Sequence, residues 1–93
     1  AFAAQVLSVT KALADEDFCK TKLGLDKAYG KIPEEKINPH GGSVALGHPF
    51  AATGGRLVTT AANELRANGK KRAVVTLCAG GAMGGAALLE KIG

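Results

Sequence analysis

A glycine-rich run over residues 38–55 constrains this chain most, because glycine and proline within it limit the backbone to turns. The run includes Gly47-His48-Pro49, and the residues after it have a helical apolar period, so we predict a helix over residues 51–68. His48 is therefore expected just before a helix start, on a backbone that few side chains crowd. Such a histidine is well placed for chemistry, although it can also serve only to hydrogen-bond the turn.

Two long motifs and the opening residues of the chain resemble signatures of one family. The first motif is Asn38-x-x-Gly41-Gly42-x-Val44-Ala45-x-Gly47-His48-Pro49. The second motif is Ala73-Val74-Val75-Thr76-Leu77-Cys78-Ala79-Gly80-Gly81-Ala82-Met83-Gly84-Gly85. The chain opens with Ala1-Phe2-Ala3-Ala4-Gln5, which resembles the end of an Asn/His-Glu-Ala-Phe motif. These features are similar to the thiolases, the acyl-CoA C-acyltransferases that join or cleave 3-ketoacyl-CoA.

The resemblance implies that residues 1–93 are part of a thiolase C-terminal domain. Thiolases take their nucleophilic cysteine from a separate N-terminal half, which has no counterpart here, so we expect the chain alone to be inactive. Ala51 and the long connection over residues 25–36 resemble the thiolase subunits of β-oxidation multienzyme complexes.

The rest of the chain predicts an α/β fragment. An apolar stripe at helical period marks a first helix over residues 1–14, formed by Phe2, Val6, Val9 and Leu13. Asp15 resembles the N-cap of a short helix that ends near Gly24. A continuous apolar strand over residues 72–79, expected to be covered on both faces, precedes a glycine-rich turn and a second strand over residues 86–92. Two main helices followed by a β-hairpin fit the C-terminal part of the layered thiolase fold.

Composition excludes several classes of protein and of site. At 93 residues with no tryptophan, the chain can build only a thin core. The net charge of +4 is scattered apart from Lys70-Lys71-Arg72, which is typical of a solvated turn more than of a phosphate or nucleic-acid patch. Two cysteines without metal-ligand spacing predict neither a disulfide framework nor a metal site, and they favour a reducing compartment. No apolar run approaches the length of a membrane span.

His48 and Cys78 are the two candidate catalytic residues. A neighbouring imidazole can take the proton of a thiol nucleophile, and a helix N-terminus would favour its neutral form. In thiolases the matching histidine activates the nucleophile and helps to hold the thioester oxygen, so the resemblance implies these roles for His48. Cys78 ends a buried strand, where a cysteine is ordinarily a core residue. The resemblance implies instead that Cys78 moves the proton α to the thioester.

Five further positions are interpreted from the resemblance or from local sequence. Gly80 is expected to offer its backbone N–H to a thioester oxyanion, a role compatible with a hairpin turn. Phe2 matches a residue that lines the acyl or pantetheine pocket, and plain core is the alternative. Asn38 is interpreted as a turn former, His40 as solvent-exposed and Cys19 as a small buried residue.

The resemblance implies an acyl-CoA substrate, with coenzyme A as a substrate and no cofactor, and a homo-oligomer. Bacterial cytoplasm, mitochondrion and peroxisome all remain open. Ketoacyl synthases carry histidine or asparagine where this chain has Cys78, so they are disfavoured. A non-catalytic thiolase-like structural or assembly subunit is the main alternative. A nucleic-acid or anion-binding module rests on net charge alone.

Overall fold

The computed structural model describes all 93 residues, with helices first and a β-hairpin last. A 3-10 turn at Glu34–Lys36 interrupts the long connection between the helices. The helices and strands are α1 (Ala3–Ala14), α2 (Glu16–Lys22), α3 (Ser43–Leu46), α4 (Thr53–Ala67), β1 (Arg72–Ala79) and β2 (Met83–Glu90). The predicted α/β class with a terminal hairpin is confirmed, and α3 is an additional helical turn within the glycine-rich run.

A sharp corner at Asp15 joins α1 to α2. The Asp15 carboxylate accepts a hydrogen bond from the Phe18 N–H at 2.9 Å, which confirms the predicted N-cap. Gly24 follows α2 at φ +67, a conformation that glycine adopts without a Cβ penalty. Cys19 is fully buried inside the corner, and its Sγ lies 3.5 Å from two carbonyl oxygens in the last turn of α1.

The apolar stripe predicted for α1 is only partly covered. Val6 and Leu13 are half-buried, as is Thr10, whereas Phe2 and Val9 are exposed. The side of α1 that carries Phe2 and Val9 has no neighbour within this chain. Helical periodicity therefore predicted the helix correctly. Which of its apolar side chains are buried depends instead on the neighbours that residues 1–93 provide.

The entry to α4 differs from the prediction. The helix begins at Thr53 rather than at residue 51, and Pro49 lies in the preceding turn instead of an early helical position. The Pro49 carbonyl accepts hydrogen bonds from the N–H groups of Ala52 and Thr53 at 3.1 and 3.0 Å. His48 therefore lies a full turn before the helix, farther from its positive end than expected.

β1 and β2 pair antiparallel, which confirms the predicted hairpin. The second strand begins at Met83, earlier than the predicted 86–92, so the turn contains only three residues. Gly84 and Gly85 belong to the strand and not to the turn, and Gly84 lies opposite Cys78. The reason is that glycine tolerates an extended conformation as readily as a turn, so composition alone placed the strand start too late.

The core of this chain lies between α4 and one face of the hairpin. Leu65 of α4 is buried, and the β1 residues on that face are half-buried: Ala73, Val75 and Leu77. The opposite face carries the cross-strand pair Val74 and Leu88, which are 65% and 67% exposed. The prediction that β1 is covered on both faces is thus wrong within residues 1–93, where only one face has a cover.

Burial along α4 does not follow the polarity of its side chains. Val58 and Ala62 are exposed, whereas Arg56 and Glu64 are half-buried. The long polar side chains lie against the loop that precedes α4, where each has hydrogen-bond partners. Pairing of this kind compensates for the partial burial of a charged group.

Candidate active site

His48 lies on the short connection between α3 and α4. The residue before it, Gly47, has φ 99 and ψ 169, a region that is essentially restricted to glycine. No heavy atom lies within 4 Å of the position that a Cβ on Gly47 would occupy. The requirement for glycine at this position is therefore conformational, and it sets the direction in which the chain presents His48.

Side chains of α4 hold the backbone on both sides of His48. Arg56 Nη2 donates hydrogen bonds to Ser43 Oγ and to the Gly47 carbonyl, both at 3.2 Å. Thr53, which is fully buried, donates its hydroxyl to the Pro49 carbonyl at 2.9 Å. The Gly47–His48 peptide before the imidazole and the Pro49–Phe50 peptide after it are thus both tied to the first turn of α4.

The imidazole of His48 contacts the end of β1. His48 Nε2 lies 3.2 Å from the Cys78 carbonyl oxygen. Because a carbonyl only accepts hydrogen bonds, Nε2 carries the proton in this contact, and the neutral ring has its lone pair on Nδ1. That nitrogen is buried and has no hydrogen-bond partner. An unpaired buried acceptor costs about 1–3 kcal/mol, so the ring is left with an unused basic nitrogen.

The ring of Phe50 packs edge-on against the imidazole. The two ring centroids are 5.7 Å apart with an interplanar angle of 78°. Phe50 is otherwise 88% exposed, so the histidine ring is its principal neighbour within the chain. A contact of this geometry restricts the orientation of the imidazole.

A small cavity brings the two candidate catalytic residues together. His48 and Cys78 both line it, and its volume is about 80 Å³. Other walls come from α1, the glycine-rich run, α4 and β1: Ala1, Val6, Asn38, Gly42, Ser43, Val44, Leu57, Thr76 and Leu77. An imidazole and a thiol thirty positions apart in sequence therefore line one small, partly open cavity, where both can face the same bound molecule.

Cys78 is half-buried and is not in a disulfide. Its cross-strand partner is Gly84, which has no side chain to cover it. The neighbouring turn begins at Gly80, which is exposed and has no heavy atom within 4 Å of a potential Cβ position. The Gly80 N–H donates none of the turn and loop hydrogen bonds, so it is open to an acceptor. The oxyanion role of Gly80 stays a prediction.

Phe2 lies apart from the cavity that contains His48 and Cys78. It is the N-cap residue of α1, and its side chain is 69% exposed. Its neighbours Ala1 and Val6 line the cavity, so this end of α1 is adjacent to the site. The alternative interpretation of Phe2 as core is not met within this chain, and its role toward an acyl chain stays a prediction.

Asn38 and Arg56 participate in the site in ways that the sequence did not predict. The Asn38 amide lies against Gly42, where an added Cβ would come within 2.7 Å of its Nδ2. Arg56 occupies the first turn of α4, where a cation opposes the helix dipole. That unfavourable placement is a signal in the sequence that could have indicated a role for Arg56 outside its own helix.

His40 is exposed at the surface, as expected, and it also has a partner there. Its Nε2 donates to the Glu64 carboxylate, and Lys70 Nζ lies 3.5 Å from the other carboxylate oxygen. The hydrogen bond from His40 holds the pKa of Glu64 below its ordinary value, and the charge of Lys70 adds to this. This pair ties the start of the glycine-rich run to the second half of α4.

Nowhere does the chain gather three histidine, cysteine or acidic side chains in the arrangement of a metal site. None of its helices has both the length and the apolarity needed to cross a membrane.

Comparison with known proteins addresses the family directly. Residues 1–91 match the sequence model of the family described as thiolase, C-terminal domain. The chain belongs to the thiolase family. Its α/β architecture is accordingly that of a thiolase C-terminal segment, as the two motifs predicted.

Several curated thiolases resemble the chain over almost its whole length. The 3-ketoacyl-CoA thiolases of Alteromonas mediterranea and Photorhabdus laumondii are each 49% identical to it over 90 residues. The 3-ketoacyl-CoA thiolase of Yersinia pestis is 48% identical over the same length. These matches cover 97% of this thiolase chain but only 21% of each relative.

Proposed function

We propose that this chain supplies the base and the proton donor of an acyltransferase site that cleaves or forms 3-ketoacyl-CoA within a larger thiolase. The observation that carries the proposal is the unpaired, buried Nδ1 of His48 beside the cavity that Cys78 also lines. Membership of the thiolase family and the names of the similar proteins agree with this reaction class.

In the proposed thiolysis, a cysteine from outside this chain gives its proton to the basic nitrogen of His48. The resulting thiolate attacks the keto carbon of the substrate, and the bond between the α and β carbons breaks. Cys78 donates a proton to the α carbon, which releases acetyl-CoA and leaves an acyl group on the nucleophile. Coenzyme A then loses its thiol proton to the Cys78 thiolate and attacks the acyl-enzyme. The nucleophilic cysteine leaves as a thiolate and takes its proton back from His48, which regenerates the site. Condensation is the reverse.

Oxyanions form in both half-reactions, and two donors of this chain suit them. The open N–H of Gly80 can donate to an oxyanion beside Cys78. His48, once protonated, can donate to the other. A single donor of this kind contributes about 2.7–4 kcal/mol of transition-state stabilisation in enzymes where it has been removed. Phe2 is proposed to line the path of the acyl or pantetheine chain, with coenzyme A acting as a substrate.

The chain alone is proposed to be inactive because neither of its cysteines can replace the missing nucleophile. Cys78 already has a role in the cycle, and Cys19 is enclosed between α1 and α2. Thiolysis of acetoacetyl-CoA by the isolated chain would contradict this.

The decisive test uses a chimera, defined as the Photorhabdus laumondii thiolase with its matching 90 residues replaced by this chain. We expect the chimera to thiolyse 3-ketoacyl-CoA. We also expect His48→Ala and Cys78→Ala each to lower kcat by about 10²-fold or more, since general acid–base groups typically contribute about 10²- to 10⁴-fold. Circular dichroism of each variant confirms that it is folded. Full activity in the His48→Ala chimera would refute the proposal.

The structural alternative, a thiolase-like assembly subunit without catalysis, predicts a different outcome. Under it, a folded chimera assembles but does not turn over, and substitutions at His48 change nothing further. The Cys78 thiol is not in a disulfide, and His48 and Cys78 line the same cavity. Both observations favour catalysis over this alternative.

Two broader properties are part of the same proposal. We propose a homo-oligomer, supported by the family and by the exposed apolar face with Val74 and Leu88. We also propose a reducing compartment, because both cysteines are free. Light scattering of the chimera and of the parent thiolase tests the first, and a matched mass for both is expected.

A further inference from the structure

Arg56 makes two hydrogen bonds through a single nitrogen. Its Nη2 lies 3.2 Å from Ser43 Oγ, at the start of α3, and 3.2 Å from the Gly47 carbonyl, just after α3 ends. The side chain thus spans the connection that leads to His48. No carboxylate forms an ion pair with Arg56, so both contacts are to neutral acceptors.

The Gly47 carbonyl belongs to the peptide group that joins Gly47 to His48. The position of this peptide group controls the orientation of the His48 backbone. Glycine at position 47 has more backbone freedom there than any other residue would have. No heavy atom would contact a Cβ at Gly47, so side-chain packing does not immobilise it. The Gly47 N–H donates to the Ser43 carbonyl at 2.9 Å, which leaves the carbonyl side of Gly47 to be restrained by Arg56. After His48, the Thr53 hydroxyl restrains the Pro49 carbonyl in the same way.

The place of Arg56 in its own helix does not account for it. It lies in the first turn of α4, where the positive end of the helix dipole repels a cation. The side chain is nevertheless half-buried against the preceding loop. Helix stability therefore does not explain a charged residue at this position. The two hydrogen bonds of Arg56 explain it better, because they restrain the loop that leads to His48.

We infer that Arg56 is a positioning residue, which holds the Gly47–His48 peptide so that the imidazole meets the Cys78 carbonyl beside the cavity. The inference rests on the proposed function, because it assigns to Arg56 the alignment of the proposed base. A shift of about 1 Å in a catalytic group can lower a rate by 10²-fold. Loss of Arg56 should therefore reduce turnover even though the guanidinium touches no reacting atom.

The test compares four proteins built on the active chimera: the parent, Arg56→Met, Arg56→Lys and the control Arg66→Met. Arg66 lies in the last turn of the same helix, is exposed and makes no hydrogen bond within the chain. We expect Arg56→Met to lower kcat by about 10- to 100-fold with KM within twofold. Arg56→Lys keeps a cationic donor. Its loss in log kcat should be at most two-thirds of the loss in log kcat that Arg56→Met causes. Arg66→Met should match the parent.

The assay is run well below the unfolding midpoint of each variant, so that a loss of stability alone does not appear as a loss of kcat. A folded Arg56→Met variant with kcat within twofold of the parent overturns the inference. Equal losses of kcat in the Met and Lys variants also overturn the inference, because they would show that a cationic hydrogen-bond donor at position 56 does not help turnover. If Arg56→Met does not fold, the Ser43→Ala variant is tested instead, because it removes one hydrogen-bond acceptor of Arg56 and leaves the guanidinium in place. A loss of threefold or more in kcat supports the inference. A smaller change in kcat refutes it.

These outcomes are distinct from failure of the proposed function. If His48→Ala keeps full activity in the chimera, the proposed base is wrong, and the positioning role of Arg56, which rests on that base, is overturned with it. If His48→Ala abolishes activity while Arg56→Met does not, the proposed function stands and only the positioning role is lost.

Discussion

The imidazole of His48 donates from Nε2 to the carbonyl of Cys78 across 3.2 Å, and its Nδ1 is buried without a partner. This contact joins the glycine-rich run to the end of β1 and places both candidate catalytic residues on one cavity. The geometry explains why the two motifs belong together: each contributes one side of a single site.

Gly47→Ala should destabilise the chain and misplace His48. A Cβ-bearing residue at φ 99 and ψ 169 is strained, at a cost of about 1–3 kcal/mol. The matched control is Gly55→Ala, within α4, where an added Cβ meets no heavy atom within 4 Å and should be stabilising by about 0.5–1 kcal/mol. Thermal unfolding of the two chimera variants measures the difference, and equal midpoints would show that the Gly47 conformation is not required.

Thr53→Val should weaken the entry to α4. The substitution removes the 2.9 Å hydrogen bond to the Pro49 carbonyl from a fully buried side chain, with a loss of about 0.5–1.5 kcal/mol in unfolding free energy. Thr59→Val, at an exposed position of the same helix, should change stability by less than about 0.5 kcal/mol. Urea titration separates the two variants. A Thr53→Val variant as stable as its control would mean that the backbone N–H groups alone hold the turn.

Glu64→Gln should reduce the acid sensitivity of folding. The pKa of Glu64 lies below its ordinary value of 4.5 in the folded chain, chiefly through the hydrogen bond from His40. A lowered folded-state pKa gives stability that is fully present above the unfolded-state pKa and is lost as pH falls toward the folded-state pKa. The parent should therefore lose more stability than Glu64→Gln below about pH 4.5, near the reference pKa of Glu.

The control for that measurement is Glu90→Gln. Glu90 is exposed, and its nearest cationic atom, on Arg72, is 4.0 Å away. It should follow the pH dependence of the parent. Parallel curves for the parent and Glu64→Gln would show that the His40 contact does not persist in solution.

The two cysteines should differ in reactivity. Cys19 is fully buried between α1 and α2, whereas Cys78 is half-buried on the wall of the cavity. Iodoacetamide should modify Cys78 at least tenfold faster than Cys19 in the folded chimera, because alkylation requires access to the thiolate. Mass spectrometry of the two peptides measures the rates, and denaturation in urea should remove the difference. Equal rates before denaturation would place Cys19 outside the core.

Local signals in the sequence predicted most elements correctly. Asp15 as an N-cap, Gly24 as a helix terminator and the β-hairpin all depend on contacts between residues close in the chain, so short patterns specify them. The family was also evident from two motifs, since a motif is a local pattern.

The sequence alone determined the three longer helices, the hairpin and the identity of the two candidate catalytic residues. Only the tertiary structure decided that His48 meets the Cys78 carbonyl, that Arg56 restrains the Gly47 peptide, and that Phe2 is exposed. Those outcomes depend on contacts between distant segments, and on which faces find a neighbour within the chain. Periodicity reports that a face is apolar, but it carries no information about what covers that face.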